Sequence, residues 1–145
     1  MTTGGMDAEL DALAEEFSVF ENDWESRIQY LIDLGRELES LSRDEQVDPN
    51  KVRGCASQVW LVTEPGPDGT LRFRGDSDAH IVRGLIAILL RLYSGRRPEE
   101  ILEFNAQAAY DRLGLAGMLT MQRSNGLFSM VERMRRDAGA AAAAG

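Results

Sequence analysis

The stretch "GDSDAHIVRGLIAILLRLYSG", residues 75–95, restricts the fold more than any other part of the chain. Ile81, Val82, Leu85, Ile86, Leu89, Leu92 and Tyr93 recur at helical spacing and cover more than the single stripe a surface helix presents. A helix apolar over so wide a face needs neighbours on several sides, so the remaining elements are expected to wrap it. Asp76, Ser77 or Asp78 is expected to cap its start, and Gly95 to end it. Its longest apolar run, "LIAILL" at 85–90, is far shorter than the roughly 20 residues that cross a bilayer.

The wrapping elements follow from changes of period along the chain. Leu10, Leu13, Phe17 and Phe20 in "DAELDALAEEFSVF" form one stripe of a first helix, opposite a face of carboxylates. A second helix opens at Asn22 or Asp23 and carries Trp24, Ile28, Leu31, Leu34 or Gly35, and Leu38 on its apolar side, ending near Leu41 before the polar segment around Pro49. The period then becomes strand-like: "SQVWLVT" is β-branched and aromatic, "EPGPDGT" is a turn, and "LRFR" alternates, together a β-hairpin. A short extra strand at Lys51–Arg53 would extend it. After the central helix, Pro98 opens a short helix, Asn105 caps another, and a last one spans roughly Gln122 to Asp137 with Leu127, Met130, Val131 and Met134 inward. The expected architecture is α+β, a small antiparallel sheet packed against several helices, as one domain over 1–137. The "AGAAAAAG" tract, 138–145, is expected to be a frayed or disordered tail.

Charge narrows the partners. Twenty-four acidic against sixteen basic side chains leave a formal net charge of -8, which opposes non-specific binding to nucleic acid. "MTTGGMDAEL" has no basic region followed by an apolar one, so a secretory signal is not expected and a cytoplasmic location is. A reducing compartment would keep the one cysteine of the chain, Cys55, as a thiol.

Cys55 has two readings. Free cysteine is among the most buried residue types, which favours a packed hydrophobe. Its place argues for chemistry: it stands in a turn after Gly54, beside Arg53 and Lys51, whose charges favour thiolate. Hydrolysis is disfavoured, since the only histidine, His80, stands at the front of the central helix and no orienting third group is evident. One Cys and one His supply no tetrahedral set, so no metal site is expected. The glycines at 75, 84 and 95 make neither a dinucleotide fingerprint nor a phosphate loop. "GDSDAH" reads equally as a plain helix cap, and Arg123 as a solvated charge.

Taken together, "RGCASQVWLV", "GDSDAHIVRGLIAILLRLYSGRRPEEIL", "LGLAGMLTMQRSNGL" and "WESRIQYLIDLGRELESL" resemble the SufE family of sulfur acceptors over roughly residues 15–137. The resemblance implies a fold related to IscU-type scaffolds. It also implies a role as acceptor of persulfide sulfur from a SufS-type cysteine desulfurase, for delivery to a SufBCD-type iron–sulfur scaffold. Cys55 would be the acceptor, with Gly54, Gln58, Trp60, Asp76, Ser77, Asp78 and Arg123 framing the turn or meeting the partner. The chain would need no cofactor of its own, the pyridoxal phosphate belonging to the desulfurase, and would have no independent turnover. Ala56 and His80 depart from the family pattern without touching the acceptor, and a CsdE-type branch shares the same boxes. A rival role is that of an interaction-only activator of a desulfurase, with Cys55 incidental. The turn is expected to lie near "GDSDAH" and Arg123.

Overall fold

The computed structural model describes residues 5–20, 22–52, 58–119 and 121–144, and for 121–123 the backbone alone. Among the described residues, six α-helices and two strands follow in the order α1 (Gly5–Ser18), α2 (Trp24–Glu37), β1 (Val59–Pro65), β2 (Leu71–Ser77), α3 (His80–Tyr93), α4 (Pro98–Glu103), α5 (Ala106–Arg112) and α6 (Met121–Ala144). Single 3-10 turns at Asp48–Asn50, Pro67–Gly69 and Ala116–Met118 join them. This is the α+β arrangement the change of period predicts.

Helix α3 takes the central place that its wide apolar face requires. Leu85, Ile86, Ile88, Leu89 and Tyr93 are fully buried, with α2, β2, α1 and α6 packed around them. α2 approaches most closely, because two glycines face each other. A Cβ at Gly84 would stand 2.2 Å from the Leu31 carbonyl oxygen, and one at Gly35 would stand 2.7 Å from the Gly84 nitrogen. Backbone therefore meets backbone, where ordinary helix pairs keep axes 8–10 Å apart through intervening side chains. α1 adds Met6, Leu10, Leu13 and Phe17 to the core. It is joined to α3 by Arg91, which pairs with Glu9 at 2.6 Å and with Glu16 at 2.9 Å.

The hairpin pairs β1 and β2 antiparallel from Val59↔Ser77 to Pro65↔Leu71. Its turn passes through Asp68 and Gly69 with φ of 57° and 78°, the left-handed conformations for which an Asp-Gly pair is suited. The expected extra strand is reduced to one antiparallel bridge, Lys51↔Trp60. Arg53 lies outside the described residues.

Local signals place several boundaries well. The Asp23 carboxylate accepts from the Ser26 N–H at the start of α2, Asn105 accepts from the Ala108 N–H at the start of α5, and Pro98 opens α4. Four expectations need correction. Helix α2 stops at Glu37, short of Leu41, because its last carbonyls are taken by a side chain of α3. Trp24 is 44 % exposed rather than part of the inward stripe; as the first residue of α2 it lies within 5.8 Å of the Arg27 guanidinium. Helix α3 starts with Ala79 as its cap residue and no side-chain cap, since the Asp76 and Asp78 carboxylates bond elsewhere and the Ser77 hydroxyl reaches only the Ala79 N–H. Finally, α6 continues through the alanine tract to Ala144. Residues 138–144 are thus helical: alanine is the best helix former, and Ala138 is fully buried.

Candidate functional site

The candidate residues converge where the hairpin meets α3. Trp60 and Asp76 are cross-strand partners, as are Val59 and Ser77, so the "SQVW" and "GDSD" segments lie side by side. Asp76 is 3 % exposed. Its carboxylate accepts from the Leu41 N–H at 3.0 Å, from the Ser77 N–H at 2.8 Å, from the Gln46 amide at 3.4 Å, and from the Arg83 guanidinium. A buried carboxylate is tolerated when it is paired and its lone pairs are occupied, as here. Arg83 also donates to the Gly35 carbonyl at 3.1 Å and the Leu38 carbonyl at 2.8 Å, closing the end of α2. Asp76 and Arg83 together lock α2, the 41–46 segment, β2 and α3 to one another.

Asp78 points the other way. It is exposed, and its Oδ1 accepts from the Gln58 N–H at 3.0 Å while its own N–H donates to the Gln58 carbonyl at 3.3 Å. The Ser77 hydroxyl accepts from the Ala79 N–H at 3.2 Å, shaping the entry to α3. On the other side, the Val52 N–H donates to the Val59 carbonyl at 2.8 Å. Arg133 of α6 donates to the Lys51 carbonyl at 3.2 Å and to the Pro49 carbonyl. Both ends of the 53–57 segment are thereby anchored: Val52 on the sheet, with Lys51 and Pro49 before it held by α6, and Gln58 on Asp78.

Five of the expected site residues, Gln58, Trp60, Asp76, Ser77 and Asp78, are brought together in this way. Gly54 and Cys55 lie outside the described residues. Arg123 falls in the first turn of α6, and its side chain also lies outside them. His80 is exposed at the start of α3. The sequence reading missed Arg83, whose signal is a cation set between Val82 and Gly84 in an otherwise buried helix. It also missed Arg133, which nothing local distinguishes from Arg135 and Arg136.

Beside the anchored segment lies an open groove of about 800 Å³. Lys51 and Val52 form one wall, and Ser124, Asn125, Phe128, Ser129, Glu132, Arg133 and Arg136 of α6 the other. Among the described residues no cluster of three metal-ligating side chains forms, and no helix is long and apolar enough to cross a membrane.

Comparison with known proteins agrees with this layout. The family model described as SufE, Fe-S metabolism associated domain, matches residues 11–138. An uncharacterized SufE-like protein of Rhizobium etli is 49 % identical over 140 residues, covering 94 % of each chain. A second, of Rhizobium meliloti, is 45 % identical over 132 residues, covering 89 % of this chain and 94 % of its own. A solution structure of a hypothetical protein from Thermus thermophilus superposes with a TM-score of 0.74 at 20 % identity. It covers 93 % of this chain and 96 % of that one, a likeness of fold. With the family model spanning the hairpin, the central helix and α6, the chain belongs to the SufE family, whose domain is associated with iron–sulfur metabolism.

Proposed function

We propose that Cys55 accepts persulfide sulfur from a cysteine desulfurase and passes it on to iron–sulfur cluster assembly in the cytoplasm. What supports the reading is a single cysteine in the chain, flanked by two anchors, in a family tied to iron–sulfur metabolism. Val52 and Gln58 stand three positions to either side of Cys55. Covalent reach therefore keeps its Cα within about 11 Å of both, whatever path the segment takes.

The step is thiol exchange. The Cys55 thiolate attacks the outer sulfur of the desulfurase persulfide, a new S–S bond forms to Cys55, the old S–S bond breaks, and the desulfurase cysteine leaves as thiolate. The Cys55 thiolate supplies the electron pair of the new bond and the desulfurase thiolate keeps that of the old one, so the transferred sulfur keeps its oxidation state and no external oxidant or reductant enters. The pyridoxal phosphate that releases sulfur from cysteine belongs to the desulfurase. A second exchange, onto a SufBCD-type scaffold, returns Cys55 to the thiol.

Intact mass spectrometry after incubation with a SufS-type desulfurase, pyridoxal phosphate and L-cysteine tests this. The expected result is a gain of about 32 Da, one sulfur atom, removed by dithiothreitol. It should be absent in Cys55→Ser, together with the stimulation of sulfide release. Stimulation retained in Cys55→Ser would instead make the chain an interaction-only activator.

A further inference from the structure

The groove along α6 has a chemical character opposite to that of the chain around it. The protein carries a formal net charge of -8. Among the described residues, the groove brings together Lys51, Arg133 and Arg136 against one carboxylate, Glu132, which is exposed and stands 4.0 Å from Arg135. Arg133 is committed to the Lys51 and Pro49 carbonyls. Lys51 and Arg136 are paired with no carboxylate among the described residues. Two such cations, one on each wall of a groove in an acidic protein, attract an anionic ligand and orient it between them.

Its shape limits the ligand. On α6 the lining residues recur every three to four positions from Ser124 to Arg136, one face of the helix, which at 1.5 Å per residue is roughly 18 Å long. That length takes about six residues of extended peptide. Val52 and Phe128 give the groove apolar surface between the cations and the polar Ser124 end. Side chains alternating along an extended strand would set apolar groups on that surface and carboxylates on Lys51 and Arg136. The Lys51 and Val52 wall leads directly into the segment that carries Cys55.

We infer that this groove is the docking site for an extended acidic peptide segment of a protein that exchanges sulfur with Cys55. The identity of that partner rests on the sulfur-relay reading above; the acidic-peptide preference of the groove does not. A segment seated here would bring its own protein to Lys51 and Val52, which precede the Cys55 segment, from the α6 side, while Asp78 and the start of α3 remain open.

The test is fluorescence anisotropy of the full chain with a fluorescein-labelled six-residue peptide of alternating glutamate and leucine. Controls are the same peptide with lysine for glutamate, and a thymidine oligonucleotide of similar charge. The acidic peptide should bind, and the Lys51→Glu/Arg136→Glu double variant should weaken it by about tenfold or more, an advantage that shrinks as salt screens it. The control variant Arg36→Glu, on the exposed side of α2, should bind as wild type does. Amide chemical shifts of the wild-type chain should move at Phe128 and Ser129, a readout that does not depend on any variant folding. Equal binding of the lysine peptide or of the oligonucleotide, no binding of the acidic peptide, or shifts confined to another face would overturn the inference. Binding should persist in Cys55→Ser, so failure of the sulfur-relay reading and failure of the groove are read separately.

Discussion

Asp76 gathers donors from the 41–46 segment, from Ser77 and from Arg83, whereas the Asp78 side chain, two residues on, holds the one backbone N–H of Gln58. The difference decides what substitution should do. Asp78→Arg removes an exposed acceptor, a loss of about 1 kcal/mol or less, yet frees one anchor of the Cys55 segment and reverses a surface charge. Desulfurase stimulation should change severalfold while the melting temperature moves by only a few degrees; wild-type stimulation would show that this anchor is irrelevant to sulfur transfer. A second residue-scale effect is acid sensitivity. The hydrogen bond from Arg74 holds the Glu45 carboxyl at about 2 against an ordinary 4.5, and hydrogen bonding to Arg91 lowers Glu16 despite its partial burial. A carboxylate whose pKa is depressed in the folded state contributes stability above its unfolded value, and that contribution disappears as pH falls through the folded value. Melting temperature should therefore fall between pH 4.5 and about 2, the window set by Glu45. Glu45→Gln should be less stable than wild type at pH 7 and match it near pH 2; a gap independent of pH would assign the effect to packing.

At the level of elements, the central helix carries the largest consequence. Leu89 is fully buried, and Leu89→Ala should lower stability by roughly 2–5 kcal/mol, as cavity-forming changes in tight cores do, measurable by denaturant unfolding. A loss below about 1 kcal/mol would mean that the surroundings of α3 collapse to fill the void. The helix periods of α1, α2, α3 and α6 are legible because burial imposes them on the sequence, and Asp23, Pro98 and Asn105 mark boundaries because their effect is local. The start of α3 is not legible. Asp76, Ser77 and Asp78 have the composition of a cap, but Asp76 answers to Leu41 and Gln46, some thirty residues away, and Asp78 to Gln58. Such pairings leave no mark in a local pattern. The alanine tract misleads in the opposite direction: its low complexity suggests disorder, while its helix propensity and the burial of Ala138 extend α6. The candidate site divides in the same way, its motif boxes visible in the chain, and Arg83, Arg133 and the groove visible only once α3 and α6 are packed.

Across the whole molecule, the hairpin, α3 and α6 set two faces at the Cys55 segment, one carrying Asp78 and the exposed His80, the other the cationic groove. The frame that holds those faces apart depends on the junction of α2 and α3. Because Gly35 and Gly84 let backbone rest on backbone, and Arg83 ties both helices to Asp76, there is no layer of side chains there that could loosen by degrees. The two helices should open to solvent only together. In native-state hydrogen exchange, the amides of Leu31, Gly35, Leu85 and Ile86 should share one opening free energy and one denaturant slope. Exchange in α2 through an opening several kcal/mol easier than that of α3 would show two separable units. If they exchange as one, α2 and α3 form a single cooperative unit, and on the sulfur-relay reading a partner would have to reach Cys55 without either helix opening by itself.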